Sequence, residues 1–264
     1  MLELRALHQT FHAGEVNEVR ALRGIDLIVP RGQFVTVIGS NGAGKSTIFN
    51  VVAGVYPPTK GKIVIDGEDV SAWPEHRRAQ QVGRVFQDPL MGTAASMSIV
   101  QNLTLALLRG QRRGLRIGVT SQRREFFRDL LAPLGLGLEN RLDTRVAMLS
   151  GGQRQALTLL MATLTRPKVL LLDEHTAALD PATAAKIVDL TQQIVAEQQL
   201  TTLMITHNMN QALTVGDRTL MMDAGQIVLD LSGDQRAAMT VQDLIEQFSR
   251  VRQSQLADDE LLLA

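Results

Sequence analysis

Apolar and polar positions along the chain change their period several times, and each change marks an expected element. Leu2 to Ala6 and Val19 to Val29 read as strands, with Phe11-His12-Ala13-Gly14 as a loop between them. Phe34-Val35-Thr36-Val37-Ile38 is a compact β-rich run that ends in a Gly-rich loop, after which Ser46 to Ala53 takes helical spacing. Lys62 to Asp66 is another strand, closed by the turn pair Asp66-Gly67. From Asp88 to about Arg166 the strand patterns vanish, and helical spacing appears in Ile99-Leu103-Leu107 and in Phe126-Leu130-Leu131. Buried strands return after Pro167: Val169 to Leu172 and Thr202 to Thr206, separated by a helix over Pro181 to Gln198. Thr219 to Met222 and Gln226 to Asp230 form an expected hairpin across Asp223-Ala224-Gly225. Beyond Thr240, Val241, Leu244, Ile245, Phe248 and Val251 share one helical face that would pack on the core, and Asp258 to Ala264 reads as a frayed end.

This order predicts an α/β core with a mostly parallel sheet, an N-terminal antiparallel β subdomain and an inserted helical subdomain. The expected boundaries are a core of residues 1–87 and 167–240, a helical subdomain of 88–166, and a C-terminal helix and tail of 241–264. A chain of 264 residues with 45% hydrophobic content is large enough for such a core with an insert. Its 27 basic and 27 acidic residues cancel, which argues against nucleic acid as a partner. The absence of cysteine excludes disulfides and thiolate chemistry. Met1-Leu2-Glu3-Leu4-Arg5 lacks the pattern of a signal peptide, and no apolar run is long enough to cross a bilayer, so the chain reads as soluble but able to dock at a membrane.

Five separated segments carry the candidate chemistry. Gly39-Ser40-Asn41-Gly42-Ala43-Gly44-Lys45-Ser46, between an expected strand and an expected helix, fits a phosphate-binding loop. Its glycines would let backbone N–H groups wrap phosphate oxygens, Lys45 would reach the β- and γ-phosphates of ATP, and the Ser46 hydroxyl would ligate Mg²⁺. Asp173 and Glu174 close the buried run Val169 to Leu172, where a parallel strand delivers its end to a ligand crevice. The aspartate suits water-mediated Mg²⁺ binding, and the glutamate points toward an attacking water. Gln87 and His207 also follow apolar runs, and an imidazole at such an edge can hold a γ-phosphate. Leu149-Ser150-Gly151-Gly152-Gln153 has no evident role inside its own chain and suggests that a second copy completes the nucleotide site.

Together with Ala178-Leu179-Asp180, these segments occur in an order and spacing that resemble the nucleotide-binding subunit of ABC (ATP-binding cassette) transporters, a P-loop NTPase fold, over nearly the whole chain. The resemblance implies that two cassettes, identical in the simplest arrangement, pair head to tail with each ATP between the phosphate loop of one, extending through Thr47, and the signature loop of the other. Ser150 and Gly152 would then contact the γ-phosphate across the interface, Gly151 would let the backbone approach, and Gln153 would open a helix facing the phosphates. Glu174 would polarise the hydrolytic water, Asp180 would couple the two sites, Gln87 would sense Mg²⁺ and the permease, and Phe11 stands where the family stacks an aromatic on adenine. Partners implied are a second nucleotide-binding subunit, a transmembrane permease at the cytoplasmic face of the membrane and, indirectly, a substrate-binding protein.

One departure is His175, where most of the family has proline after the glutamate. The run Asp173 to Asp180 and the stretch Val85 to Thr93 resemble a bacterial branch of tryptophan/tyrosine-type importers, which points to a small solute such as an amino acid. A soluble cassette ATPase of the iron–sulfur scaffold type, and the ATPase of a lipid or lipoprotein exporter, are the alternatives. Arg109, Arg112, Arg113, Arg116, Arg123, Arg124 and Arg128 read first as a solvated face, then as a contact with the permease or anionic headgroups, and last as a nucleic-acid site.

Overall fold

The computed structural model describes residues 1–111 and 117–250. Arg112, Arg113 and Arg116 of the arginine-rich stretch, Val251 of the C-terminal face and the tail from Asp258 lie outside the described residues. The chain divides into two compact units, Met1–Trp73 with Thr201–Ala264, and Pro74–Leu200. The second unit is wider than the expected 88–166 insert, because the helix that follows the signature packs against strand and helix segments on both sides of that insert.

In chain order the first unit begins with β1 (Leu2–Phe11), β2 (Val19–Val29), β3 (Phe34–Gly39), α1 (Lys45–Ala53), β4 (Lys60–Ile65) and β5 (Glu68–Asp69). Strands β2, β1, β4 and β5 form a four-stranded antiparallel sheet in that order. β1 runs five residues past the expected Ala6. Ala6 takes a left-handed φ of 44° and the register shifts between Leu4 and Leu7, so a bulge absorbs the break in alternation and pairing resumes to Phe11. Leu2, Leu4 and Leu7 are all buried along it.

The second unit contributes α2 (Glu75–Arg78), β6 (Val82–Val85), α3 (Ile99–Leu107), α4 (Ser121–Leu131), α5 (Gly151–Thr163), β7 (Val169–Asp173) and α6 (Pro181–Gln198). β6 and β7 pair in parallel, with Val82 opposite Val169 and Val85 opposite Leu172. The helical part closes over a core in which Leu103, Phe127, Leu131 and Leu157 are fully buried. α3 starts with a capping box, the Ser98 hydroxyl accepting from Gln101 N–H, and Thr120 caps α4 by accepting from Arg123 N–H. Asn102 is 1% exposed and pins the turn before α3: its Oδ1 accepts from Ala94 N–H at 2.8 Å while Nδ2 donates to the Ser98 carbonyl at 3.0 Å.

The chain then returns to the first unit with β8 (Thr201–Ile205), α7 (Met209–Thr214), β9 (Arg218–Asp223), β10 (Gln226–Ser232), α8 (Gly233–Ala238) and α9 (residues 241–250). β3 is flanked by β8 and β9, both parallel to it, and β9–β10 is the expected antiparallel hairpin. Thr36 in β3 donates its hydroxyl to the Ala212 carbonyl at 2.8 Å, which seats α7 on the sheet. Leu244 of α9 is fully buried beside Ile38, Met221 and Leu231, and Phe248 packs on the same cluster. Ile245, expected on that face, is instead 43% exposed.

Truncating Phe127 removes the largest apolar side chain of the helical core without touching any polar segment named above. Phe127→Ala should cost about 3–5 kcal/mol of unfolding free energy, read from denaturant unfolding of the purified chain.

Candidate nucleotide-binding site

The first unit holds the phosphate loop. β3 ends at Gly39, whose φ of 150° places it where an added Cβ would meet the Met222 carbonyl oxygen at 2.2 Å. Gly44 is the residue before α1, with φ 98°, and a Cβ there would lie 2.6 Å from the Ala21 carbonyl. No side chain caps α1, so its leading N–H groups and dipole face the loop formed by Gly39, Ser40, Asn41, Gly42, Ala43 and Gly44. Lys45 is only 6% exposed, and its ammonium donates to the carbonyls of Gly39 and Ser40 at 2.8 Å each. Ser46 is exposed and Thr47 half-buried at the start of the helix, while the Ser40 hydroxyl donates to Asp223 Oδ1 at 2.9 Å. A cradle of backbone donors, one buried lysine and a following hydroxyl fits a nucleoside triphosphate.

His207 stands at the same sheet edge of that unit. β8 lies beside β3 with Val37 opposite Ile205, and Thr206 N–H donates to the Val37 carbonyl at 3.2 Å. Thr206 fixes the turn: its hydroxyl donates to Gln211 Oε1 at 3.0 Å and accepts from Asn208 N–H at 3.1 Å. His207 is exposed there. Phe11 is the last residue of β1 rather than part of a loop, half-buried, with its ring set edge-on against Tyr56 at 5.4 Å and 82°. Tyr56 is 40% exposed, and no local signal in the sequence linked it to Phe11.

The second unit carries the carboxylates. Because β6 and β7 are parallel, Gln87 and the pair Asp173-Glu174 emerge from the same edge. Arg84 on β6 reaches diagonally across to Asp173, its Nη2 donating to Oδ2 at 3.1 Å, and its guanidinium lies 4.6 Å over the Phe86 ring. Both side chains of this ion pair are largely buried, at 13% and 15% exposure. A cation thus already balances Asp173. The only hint in the sequence was a lone arginine inside an apolar strand, and its partner is 89 residues away. Glu174 adopts a left-handed φ of 45°, a conformation uncommon for a side chain of this kind and costly unless its neighbours impose it.

The signature segment does have a role within its own chain. Ser150 is the N-cap of α5, accepting from Gln153 N–H at 3.2 Å, and Gln153 Oε1 accepts from Ser150 N–H at 3.2 Å. The helix therefore opens at Gly151, and Gln153 sits a turn inside it as the second half of a capping box. Gln153 Nε2 also donates to the Leu136 carbonyl at 3.2 Å. Arg154, which carried no motif, donates to the carbonyls of Val146, Ala147 and Leu149 and so braces the turn ahead of Ser150. At Gly152 an added Cβ would fall 2.4 Å from Thr183 Cγ2 on α6, so that side chain would have to shift, and one at Gly151 would lie 3.3 Å from Leu179. Asp180 caps α6 by accepting from Thr183 N–H at 3.0 Å, and hydrogen bonds from Thr183 hold its carboxyl below the usual range. Ser150, Gly151, Gly152 and Asp180 are thus neighbours at two adjacent helix starts.

Two of the described arginines of the basic stretch are engaged within the chain. Arg124 pairs with Asp143 through both carboxylate oxygens, and Arg123 donates to the Gly118 carbonyl. Among the described residues no group of three or more His, Asp and Glu is arranged to hold a metal ion, and no helix is long and apolar enough to cross a membrane.

A phosphate loop on β3–α1, an acidic strand end and a glycine-rich helix start define a nucleoside-triphosphatase of the phosphate-loop class. The sequence matches the ABC transporter family model over residues 22–177. It is 43% identical to a tyrosine transport ATP-binding protein of Clostridioides difficile (strain R20291), the match covering 94% of this chain and 98% of that protein. It is 38% identical to the methionine import ATP-binding protein MetN 2 of Pseudomonas entomophila (strain L48), over 86% of this chain and 66% of that one. The fold superposes with a TM-score of 0.75 on a dimeric post-hydrolysis structure of the ATP-binding cassette MJ0796 bound to ADP and Pi, at 28% identity, covering 88% of this chain and 98% of that one. The chain belongs to the ABC transporter ATP-binding family; it is an ATP-binding and ATP-hydrolysing transporter subunit. Neither the scaffold-type ATPase nor the exporter is favoured by these relatives.

His175 yields a pH prediction. It is fully enclosed, and burial pushes its imidazole down from 6.5 to about 4. The Thr191 hydroxyl donates to the Ile187 carbonyl at 2.7 Å, so its oxygen accepts from His175 Nε2–H at 3.1 Å and the ring is neutral with a bare Nδ1. Between pH 6.5 and 4 the unfolded chain binds a proton here that the folded chain refuses. Stability is therefore complete above pH 6.5 and is lost as pH falls through that window, by about 3 kcal/mol in total. Unfolding midpoints measured from pH 7 to 4 should fall more steeply for the wild type than for His175→Leu; parallel curves would contradict the burial of a neutral ring.

Proposed function

We propose that two copies of this chain close on two ATP molecules and use that closure to drive import of an amino acid through a separate membrane permease. The observation that carries the shared site is the geometry of Ser150. Its oxygen is occupied by the cap, and its hydrogen is left to donate to an anion in front of a 13-residue helix whose dipole points the same way. The dimeric relative with ADP and Pi supports pairing of cassettes, and the tyrosine and methionine names of the relatives support an amino acid as cargo.

In this reading Lys45 leaves its two loop carbonyls to neutralise the β- and γ-phosphates, while Gly42, Ala43, Gly44 and Thr47 supply backbone and side-chain donors and Phe11 stacks on adenine. Ser46, Gln87 and Asp173 would hold Mg²⁺, which when bound would neutralise charge on the phosphates. Arg84 keeps the Asp173 carboxylate oriented. Glu174 accepts a proton from water as its oxygen attacks the γ-phosphorus in line, and the bond to the ADP oxygen breaks. His207 holds the transferred phosphate, Ser150, Gly151, Gly152 and Gln153 of the second copy complete the shell, and Asp180 links the two sites. The chain then works at the cytoplasmic face of the membrane, held there by the permease, with a substrate-binding protein delivering the solute.

Glu174→Gln should bind ATP with near wild-type affinity, hydrolyse it at least about a hundredfold more slowly and accumulate as a closed dimer in size-exclusion chromatography with light scattering. Ser150→Arg should bind ATP yet stay monomeric. Wild-type turnover in the first variant, or ATP-dependent dimerisation in the second, would overturn the assignments.

A further inference from the structure

Glu174 sits in a left-handed conformation that is uncommon for a glutamate, and the residue after it is anchored to a helix. His175 is 3% exposed, and its imidazole is directed into the interior, where Nε2–H meets Thr191 Oγ1 at 3.1 Å. Thr191 lies in the third turn of α6 and is itself fixed to the Ile187 carbonyl at 2.7 Å. The segment that leaves Glu174 turns at once, with Ala177 N–H donating to the Glu174 carbonyl at 2.9 Å, and re-enters α6 through the Asp180 cap. Residues 174–180 therefore form a short loop tied to one helix at both ends, by a side-chain hydrogen bond at its start and by a cap at its finish.

We propose that His175 is a positioning residue for hydrolysis: through Thr191 it anchors the Glu174 backbone to α6 and so fixes the direction in which the carboxylate meets the attacking water. This deepens the reading of Glu174 as the group that takes the water proton and rests on it. A sharply turning backbone beside a reacting group can be fixed by a ring closed on its own nitrogen; here the restraint is a hydrogen bond to a neighbouring helix. The same helix packs its first turn against Gly152 through Thr183, so Glu174 is referenced to the element that also supports the signature turn. A displaced carboxylate would leave nucleotide contacts intact and slow the chemical step alone.

The test uses the full chain and separates kcat from nucleotide binding. Thr191→Val keeps the shape of the side chain and removes the acceptor, Thr191→Ala removes it with less bulk, and Thr191→Ser restores it. For the valine and alanine variants kcat should fall by about tenfold or more while the equilibrium Kd for ATP stays within about twofold, and serine should recover most of the rate. Glu174→Gln, assayed alongside, keeps the two claims apart. If it is inactive while Thr191→Val turns over at the wild-type rate, the anchoring role is wrong and the role of Glu174 stands. If Glu174→Gln itself hydrolyses ATP normally, both fall. A parallel loss of ATP affinity and kcat in Thr191→Val, or a serine variant no better than valine, would reduce His175 to a packing residue and overturn the proposal.

Discussion

Two parallel strands that lie side by side deliver both of their carboxyl ends, and whatever residues follow them, to one edge of a sheet. Each unit of this chain relies on that constraint. In one, β3 and β8 bring the phosphate loop and His207 to a common edge. In the other, β6 and β7 do the same for Gln87 and the Asp173-Glu174 pair. Burial on both faces holds it, because Val35, Ile38, Val85, Leu170, Leu171 and Leu172 are all shielded from water, and a displaced strand would have to repack against the layers on either side. The chemistry is placed by strands that are mostly apolar along their length.

At those edges, charge and backbone geometry are balanced before any ligand arrives. Lys45 is nearly enclosed yet doubly bonded to loop carbonyls, and Asp173 is faced by Arg84. Both arrangements avoid the cost of a buried unpaired charge. Strained positions at these edges fall where the backbone leaves a strand or enters a helix: Gly39 and Gly44, where no side chain fits, and Glu174, where a side chain is needed and the conformation is imposed instead. The capped starts of α5 and α6 complete the set, with Gly152 small enough to let the two helices meet.

Local patterns made much of this legible. The helix over Pro181 to Gln198, the strand over Val19 to Val29 and the hairpin around Ala224 follow from period and turn residues alone, and the phosphate loop is contiguous in the chain. What escaped depends on contacts distant in sequence or on a bulge. Pairing of β1 resumes beyond Ala6 only because a left-handed residue takes up the slip, and the Arg84–Asp173 and Phe11–Tyr56 contacts join segments with no shared motif. Ser150 was read as idle within its chain because a capping box looks the same as any Ser-x-x-Gln until the helix start is known. His175 is visible in the sequence as a departure from proline, but its partner Thr191, sixteen residues on, is not.

The proposed function calls for a catalytic unit made of two chains, each supplying what the other lacks. The most direct measurement of that claim is the ATPase rate of the purified chain as a function of its own concentration at saturating ATP. A shared site predicts a specific activity that rises with concentration, the total rate growing as the square of protein concentration at the dilute end. A specific activity that stays constant from dilute to concentrated protein would mean that one chain alone completes the site, and would contradict the account.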